Sequence, residues 1–508
     1  MASLQLYQRL VSLPNDFPGR SLSGLFPGAM GGTRPLAGLR WFYLVVSALT
    51  IVGSASKSWA IPLLCPADFR QRVDTHLQQP ELAQAHWGIL LQASDEQEPL
   101  YARNADQLFV PASNVKLLTT AAALVALGPD YQFQTPIYAS GQGPVLRQLR
   151  LVAQGDPSLS EDQLRATAES LKAKGVNRIQ TLILEDSSDP TQDHPPSWEW
   201  DDLLYGYAPP INRAILNQNQ VALTLTPGQP GEALNIRWSD PLAGAQFQVI
   251  NRSRTALNPS RPPEIKGIYG QGQLIISGEL APRAEADVTY LAIPKPRDYF
   301  LATWHQILVE QGIQIEAERI ESSPTTEAQK LILVITSPPL STLIQTTNQE
   351  SNNLYAETLR QQLARLWPQD QNLLAQPLQQ LNIKASDYSL RDGSGLSRHN
   401  LASPRLLTQV LQNLQASPWA TVYKQSLPVA GQTGTLKSRF LNTDLAGNLT
   451  AKTGTLGGVV SLSGYLSRKD ASLLTFSILV NNARTPLPEL RQALDKILAL
   501  AYQTGPCP

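Results

Sequence analysis

Residues 111–129 read PASNVKLLTTAAALVALGP, and the organisation of the rest of the chain follows from this stretch. Its Leu and Ala content favours helix, and Gly128-Pro129 ends it. Ser113 and Lys116, three apart at the helix start, fall on one face about one turn from each other. Upstream, His86–Ala93 (HWGILLQA) and Leu100–Ala102 have the apolar character of two strands joined through the polar turn Ser94–Glu98. A short helix over Pro66–Gln79, with Phe69, Val73 and Leu77 at helical spacing, precedes them.

The final third of the chain completes the same layer. SNNLYAETLRQQLARL (351–366) and SPRLLTQVLQNL (403–414) read as helices, and LTAKTG, VVSLSGYLS and SLLTFSILVN as consecutive strands. The last element, PELRQALDKILALAY, places Leu490, Leu494, Ile497 and Ala501 on one helical face. Strand, strand, helix, then further helices and a strand meander, predict an α/β sheet sandwich. Between its two parts, about 135–335, short apolar strands alternate with Pro, Gly and Asn turns, with a helix near Tyr299–Gln311 and a strand at 331–337. This texture predicts one or two inserted β-rich domains.

Composition removes whole classes of function. The 508 residues carry 41 basic and 41 acidic side chains, so no general positive field exists to grip nucleic acid. Two cysteines and five scattered histidines, with no His-Glu-x-x-His, exclude a Cys-rich metal site and make a zinc hydrolase a poor fit, so neither metal nor cofactor is expected.

Ser-x-x-Lys at 113–116 joins a poor nucleophile to a base that becomes effective when burial and nearby cations lower its pKa. By itself the string is weak, because serine at a helix start is more often a cap. Ser351-Asn352-Asn353 also opens a helix and also reads as a cap. Lys452-Thr453-Gly454-Thr455 sits on the first strand of the meander, where Gly454 permits close approach of another backbone. A near copy without the lysine, Gln432-Thr433-Gly434-Thr435, is set aside as a chance string in a loop. Taken together and in order, Ser-x-x-Lys, Ser-x-Asn and Lys-Thr-Gly resemble the signature of class A β-lactamases and penicillin-binding proteins.

From Ser113 to Ser351 the separation is 238 residues, too long for a compact β-lactamase. In this respect the chain resembles the class C low-molecular-mass penicillin-binding proteins, serine D-alanyl-D-alanine carboxypeptidases and endopeptidases with domains inserted between the first two motifs. Gly155-Asp156-Pro157, SNNLYAETL (351–359), DGSGLSRHN (392–400), LPVAGQTGTLKSRF (427–440) and AKTGTLGGVVSLSGYL (451–466) are similar to that family as well. The resemblance implies an α/β penicillin-binding/β-lactamase-like transpeptidase domain, an antiparallel sheet with helices on both faces, carrying inserted β-rich domains. The expected division is a transpeptidase-like domain over 61–135 and 335–508, an inserted domain II over 136–205 and 285–334, and an inserted domain III over 206–284.

It further implies a serine peptidase acting on peptidoglycan stem peptides through an acyl-serine, with β-lactams as acylating inhibitors. Ser113 would be the nucleophile, Lys116 its base and Ser351 a proton relay. Asn353 would hold substrate amides, Lys452, Thr453 and Thr455 the terminal carboxylate, and the backbone N–H groups of Ser113 and Thr455 the oxyanion. Asp186, in Glu-Asp-Ser-Ser, stands where the family has an Asp-x-Ser stretch whose carboxylate approaches the cleft, and would bind a free amine on the stem peptide. Asp392–Gly395 is expected to build a turn near the cleft, and His305 and His399 to be surface or packing residues. The alternatives are a serine β-lactamase, which lacks support from any clear Glu-x-x-Leu-Asn segment, and a non-catalytic cell-wall binding protein, which would have no need of all five motif residues.

Residues 1–60 read as a leader. Arg9, Arg20, Arg34, Arg40 and Lys57 face a single acid, Asp16, and the thirteen residues Trp41–Gly53 are uncharged. Ser58-Trp59-Ala60 offers a small-residue cleavage site. Translation from Met30 would shorten this to a signal peptide of ordinary length. Export to a periplasm or cell envelope is expected, with peripheral membrane contact if the leader is retained. In such a compartment disulfides persist, and Cys65 and Cys507, at opposite ends of the mature chain, are expected to pair.

Overall fold

The computed structural model describes residues 63–506 except 94–97, 268–270, 324–328 and 371. The leader, 1–60, and Cys507 lie outside these residues. Among the described residues no helix is long and apolar enough to cross a membrane.

The two ends of the described chain share a five-stranded sheet in the order Leu449–Leu456, Val459–Ser467, Leu473–Asn481, His86–Ala93, Tyr101–Arg103. Every pairing in it is antiparallel. Alternation along the strands divides its two faces. Trp87, Ile89, Leu91, Leu462, Phe476, Ile478 and Val480 pack against Phe69, Val73 and Leu77 of the helix Pro66–Leu77 and against the last helix, Leu487–Tyr502. All four residues of the apolar stripe expected on that last helix are fully buried. The first and last helices meet at their ends, where Leu64 N–H donates to Gln503 O (2.8 Å) and Gly505 N–H to Leu64 O (3.1 Å). Cys65 is disulfide-bonded at this junction.

The opposite face receives the helices Val115–Leu127, Leu340–Gln349, Asn353–Leu366 and Pro404–Gln415, with Leu479 and Tyr465 contributed by the sheet. Toward the Ser113 end this face turns small and polar. Ser461 Oγ donates to Pro111 O (2.8 Å), Asn114 Nδ2 to Ser463 Oγ (2.9 Å), and Ser463 Oγ to Ser477 Oγ (2.8 Å). Small residues let the helix start sit directly on the sheet. That seat places Ser113 against the Lys452 strand.

The inserted region has its own five-stranded sheet, ordered Gln314–Glu321, Arg178–Glu185, Val145–Val152, Gln134–Gln142, Lys330–Thr336. Two of its pairings are parallel, so a crossover is required. The helix Glu161–Ala173 supplies one, capped by a reciprocal pair between Ser160 and Gln163. This helix interrupts a region expected to be strand-rich; the Ser-x-x-Gln capping box that announces it is present in the sequence. Smaller two- and three-stranded sheets occupy residues 220–292.

Candidate active site

Ser113 lies in a single 3₁₀ turn, Ala112–Asn114, that leads into the Val115–Leu127 helix. It does not cap that helix. Ala112 before it has φ +48°, a left-handed conformation that non-glycine residues adopt only when their surroundings enforce it. Gly395 is the surrounding group, since a Cβ there would lie 1.9 Å from Ala112 O. Behind Ser113 stands Lys116, with no exposed surface. Its Nζ donates to Asn353 Oδ1 (2.6 Å), Ser394 O (2.6 Å) and Ser113 Oγ (3.1 Å).

Geometry then assigns the fourth tetrahedral position on that nitrogen. Asn353 Oδ1 and Ser394 O accept only, so they hold two N–H groups. When the amine is neutral, its lone pair is the valence left facing the Ser113 hydroxyl. Burial disfavours the charged form and pushes the Lys116 pKa down to about 7, against the opposing pull of the Asp392 and Glu357 carboxylates. A neutral amine aimed at a serine hydroxyl is able to accept its proton.

Ser351 and Asn353 come from a turn whose three residues point in different directions. Ser351 has φ +59°. Asn352, not Ser351, caps the following helix by accepting from Tyr355 N–H (3.2 Å). Asn353 faces Lys116 with its oxygen and donates through Nδ2 to Tyr207 O (2.7 Å) in the inserted region. Lys452, also fully buried, donates to Ser351 Oγ (2.9 Å) and Thr453 O (2.8 Å). Burial, reinforced by the like charge of Lys116, lowers its pKa well below the ordinary lysine value. Gly454 closes the floor: a Cβ there would meet Ser461 Oγ at 2.2 Å and Ser113 N at 2.9 Å.

The three motifs, 238 and 101 residues apart along the chain, thus meet around one serine hydroxyl. The model of the D-Ala-D-Ala carboxypeptidase 3 (S13) family matches residues 69–501. The chain belongs to this family. As an S13 enzyme it is a serine-type D-Ala-D-Ala carboxypeptidase. The D-alanyl-D-alanine carboxypeptidase of Actinomadura is 29% identical, covering 91% of this chain and 89% of its own. The penicillin-sensitive carboxypeptidase A of Dictyostelium discoideum is 29% identical over 82% of this chain and 86% of its own. Penicillin-binding protein 4 of Haemophilus influenzae superposes with a TM-score of 0.74 at 25% identity, over 85% of this chain and 98% of that one.

Two residues of this S13 centre, Glu357 and Thr435, have no role that the sequence alone assigns. Glu357, buried one turn after Asn353, accepts Gly393 N–H and Ser394 N–H at 2.8 Å each, both on Oε1. Burial and the neighbouring Asp392 charge push its pKa up to about 7. Its i,i+4 spacing from Asn353 was the signal available for finding it. Asp392, fully buried, organises the expected turn by accepting from Gly395 N–H (2.8 Å), Ser397 N–H (2.6 Å) and Asn400 Nδ2 (2.7 Å). The near-copy string 432–435 does lie in a loop, yet it is no bystander: Thr435 Oγ1 shares a 2.7 Å hydrogen bond with Thr453 Oγ1. Thr455 Oγ1 accepts from Arg491 Nη2 (3.3 Å).

Asp186 differs from its expected place at the cleft. Its side chain has no exposed surface, and Oδ2 accepts from Arg297 Nε at 2.7 Å. Oδ1 accepts from Ser188 N–H (2.9 Å) and from the Ser188 hydroxyl. Both oxygens are therefore committed inside the inserted region, and the charge is already matched by a guanidinium that also holds Asp193 (2.8 Å). His305 pairs with Glu318 at the surface, 2.5 Å apart, and His399 is exposed. Among the described residues no group of three His, Cys, Asp or Glu is arranged to hold a metal.

Proposed function

We propose that this enzyme is exported and trims or opens peptidoglycan stem peptides by way of an acyl-serine on Ser113. Ser113 Oγ attacks the carbonyl of the penultimate D-Ala, and its proton passes to Lys116 Nζ. The tetrahedral oxyanion is held by the backbone N–H groups of Ser113 and Thr455, each contributing about 3 kcal/mol. As the C–N bond breaks, Ser351 passes a proton from the lysine pair to the leaving amine. Water then cleaves the ester and restores Ser113. Asn353 and the Lys452-Thr453-Gly454-Thr455 strand orient the substrate amide and terminal carboxylate, and β-lactams acylate the same hydroxyl.

The observation that carries this reading is the commitment of the Lys116 amine: two fixed acceptors at 2.6 Å, and the serine in the remaining direction. Site in an envelope or periplasm is supported by the basic, apolar and small-residue order of the first sixty residues. The division of the insertion into 136–205 with 285–334, and 206–284, belongs to the same proposal. Mass spectrometry of purified muropeptides after digestion tests it. Loss of one D-Ala, or opening of a cross-link, by the wild-type enzyme and not by Ser113→Ala is expected. Unchanged muropeptides would overturn it.

A further inference from the structure

Residues 193–213 of the inserted region form a strap against the catalytic centre. Its root is clamped by Arg297, whose Nη1 donates to Asp193 Oδ2 (2.8 Å) and Nη2 to Asp193 Oδ1 (3.0 Å), while Ile211 N–H donates to Asp193 O (2.6 Å). From this root the strap crosses to the catalytic half at separate points. Tyr207 O receives Asn353 Nδ2, Ile211 O receives Gln361 Nε2 (2.9 Å), and Glu199 pairs with Arg398 (2.8 Å). A further contact is buried: Trp198 Nε1 donates to Asp392 Oδ2 at 3.0 Å.

That last contact reaches the electrostatic surroundings of Lys116. Asp392 takes three hydrogen bonds from its own loop and a fourth from Trp198 across the domain junction. The same loop turns the Ser394 carbonyl onto Lys116 Nζ. The carboxylates acting on Lys116 are Asp392 and Glu357, which favour its ammonium form, and Lys116 in turn lowers the proton affinity of Lys452. Arg360 acts on Glu357. His194, ring to ring with Trp198 at 6.0 Å, is kept neutral by burial, its pKa pushed down to about 4.

We propose that Trp198 is a positioning residue through which the inserted region sets the proton affinity of Lys116, by neutralising part of the Asp392 charge and holding the 392–400 loop. The proposal rests on the reading of Lys116 as the base. An indole N–H pointed at Asp392 offsets negative potential that would otherwise favour the lysine ammonium. Removing it raises the Lys116 proton affinity, so the base becomes available only at higher pH.

The test is the pH dependence of acylation by a chromogenic cephalosporin, followed by stopped flow in the full chain. Trp198→Phe keeps the ring and deletes the donor. Its acid limb is expected to move up by about half a pH unit, with about three-fold slower acylation on that limb and an unchanged alkaline plateau. Asn400→Ala, which deletes another donor to Asp392, is expected to move the limb the same way. Trp304→Phe, a buried indole in the inserted region that is not bonded to Asp392, is expected to leave it in place. An unmoved limb in Trp198→Phe and Asn400→Ala, or a loss equal at every pH, would overturn the proposal. Failure of the underlying reading is distinguishable, because then Lys116→Ala itself would retain acylation and the limb.

Discussion

The two five-stranded sheets of the molecule are built from similar strands and joined differently. In the catalytic half, three successive strands from Leu449 to Asn481 pair antiparallel with the neighbours that follow them. In the inserted region, Arg178–Glu185 lies between two parallel partners, one reached through a helix and the other, Gln314–Glu321, from far along the chain. A meander is a local structure and shows in local pattern. A parallel pairing is settled by contacts that no short window contains. The catalytic half accordingly carries its chemistry in strings, whereas the inserted region acts on the site through single contacts: a carbonyl at Tyr207, an indole at Trp198 and a carboxylate at Glu199.

If the strings are the chemistry, substitutions in them should be the most damaging. Lys116→Ala removes the proposed base, and acylation by penicillin should fall about 10³-fold on the alkaline plateau and lose its acid limb. Lys452→Ala should lose a similar factor and in addition weaken binding of carboxylate-bearing substrates, read as a raised KM. Near-normal acylation in Lys116→Ala would place the base elsewhere.

Next comes the floor of the site. Gly454→Ala forces a methyl group into Ser461 Oγ and Ser113 N. A displacement of the nucleophile by a few tenths of an ångström to one ångström should slow acylation by about 10²-fold. Stability, measured by urea unfolding, should fall less dramatically than the rate. A rate equal to wild type would show that the Ser113 turn is not seated on this strand.

Glu357→Gln probes the buried acid behind the base. Both backbone donors bond to a single oxygen, Oε1, so the amide keeps them and only the charge is lost. The Glu357 carboxylate favours protonated Lys116; without it the lysine loses its proton at lower pH. The acid limb of acylation should therefore move down, by less than about one pH unit because Glu357 is itself partly protonated near pH 7. Movement in the other direction would contradict the assigned electrostatics.

Asp186→Asn should separate the two regions most cleanly. It breaks one side of a buried ion pair at the root of the strap, lowering stability by about 2 kcal/mol in denaturant titration. Acylation should change by no more than about three-fold, because Asp193 still holds Arg297. A selective loss on substrates with a free amine, and no loss of stability, would return Asp186 to substrate binding.

Legibility in the sequence followed the same division. Ser113 with Lys116, Ser351 with Asn353, and the Lys452 strand were legible only in combination, through the resemblance of their order to a known signature, since each string alone also reads as a cap or a turn. The helix Pro66–Leu77, the meander and the final helix were readable because their periodicity is local and their faces are uniformly apolar. The helix Glu161–Ala173 was hidden by its mixed composition, although Ser160 and Gln163 marked its start. Asp186 was misplaced because an Asp-x-Ser string does not reveal that Arg297, more than a hundred residues later, takes the carboxylate. Thr435 was discounted because similarity to another motif says nothing about which strand a loop folds onto.

The central claim is that the Ser113 hydroxyl becomes covalently bonded. Incubation of the purified enzyme with a β-lactam, proteolysis and mass spectrometry should find one lasting adduct, of the intact inhibitor mass, on Ser113, and none in Ser113→Ala. An adduct on another residue, persistent labelling of Ser113→Ala, or turnover without any lasting adduct would contradict the account.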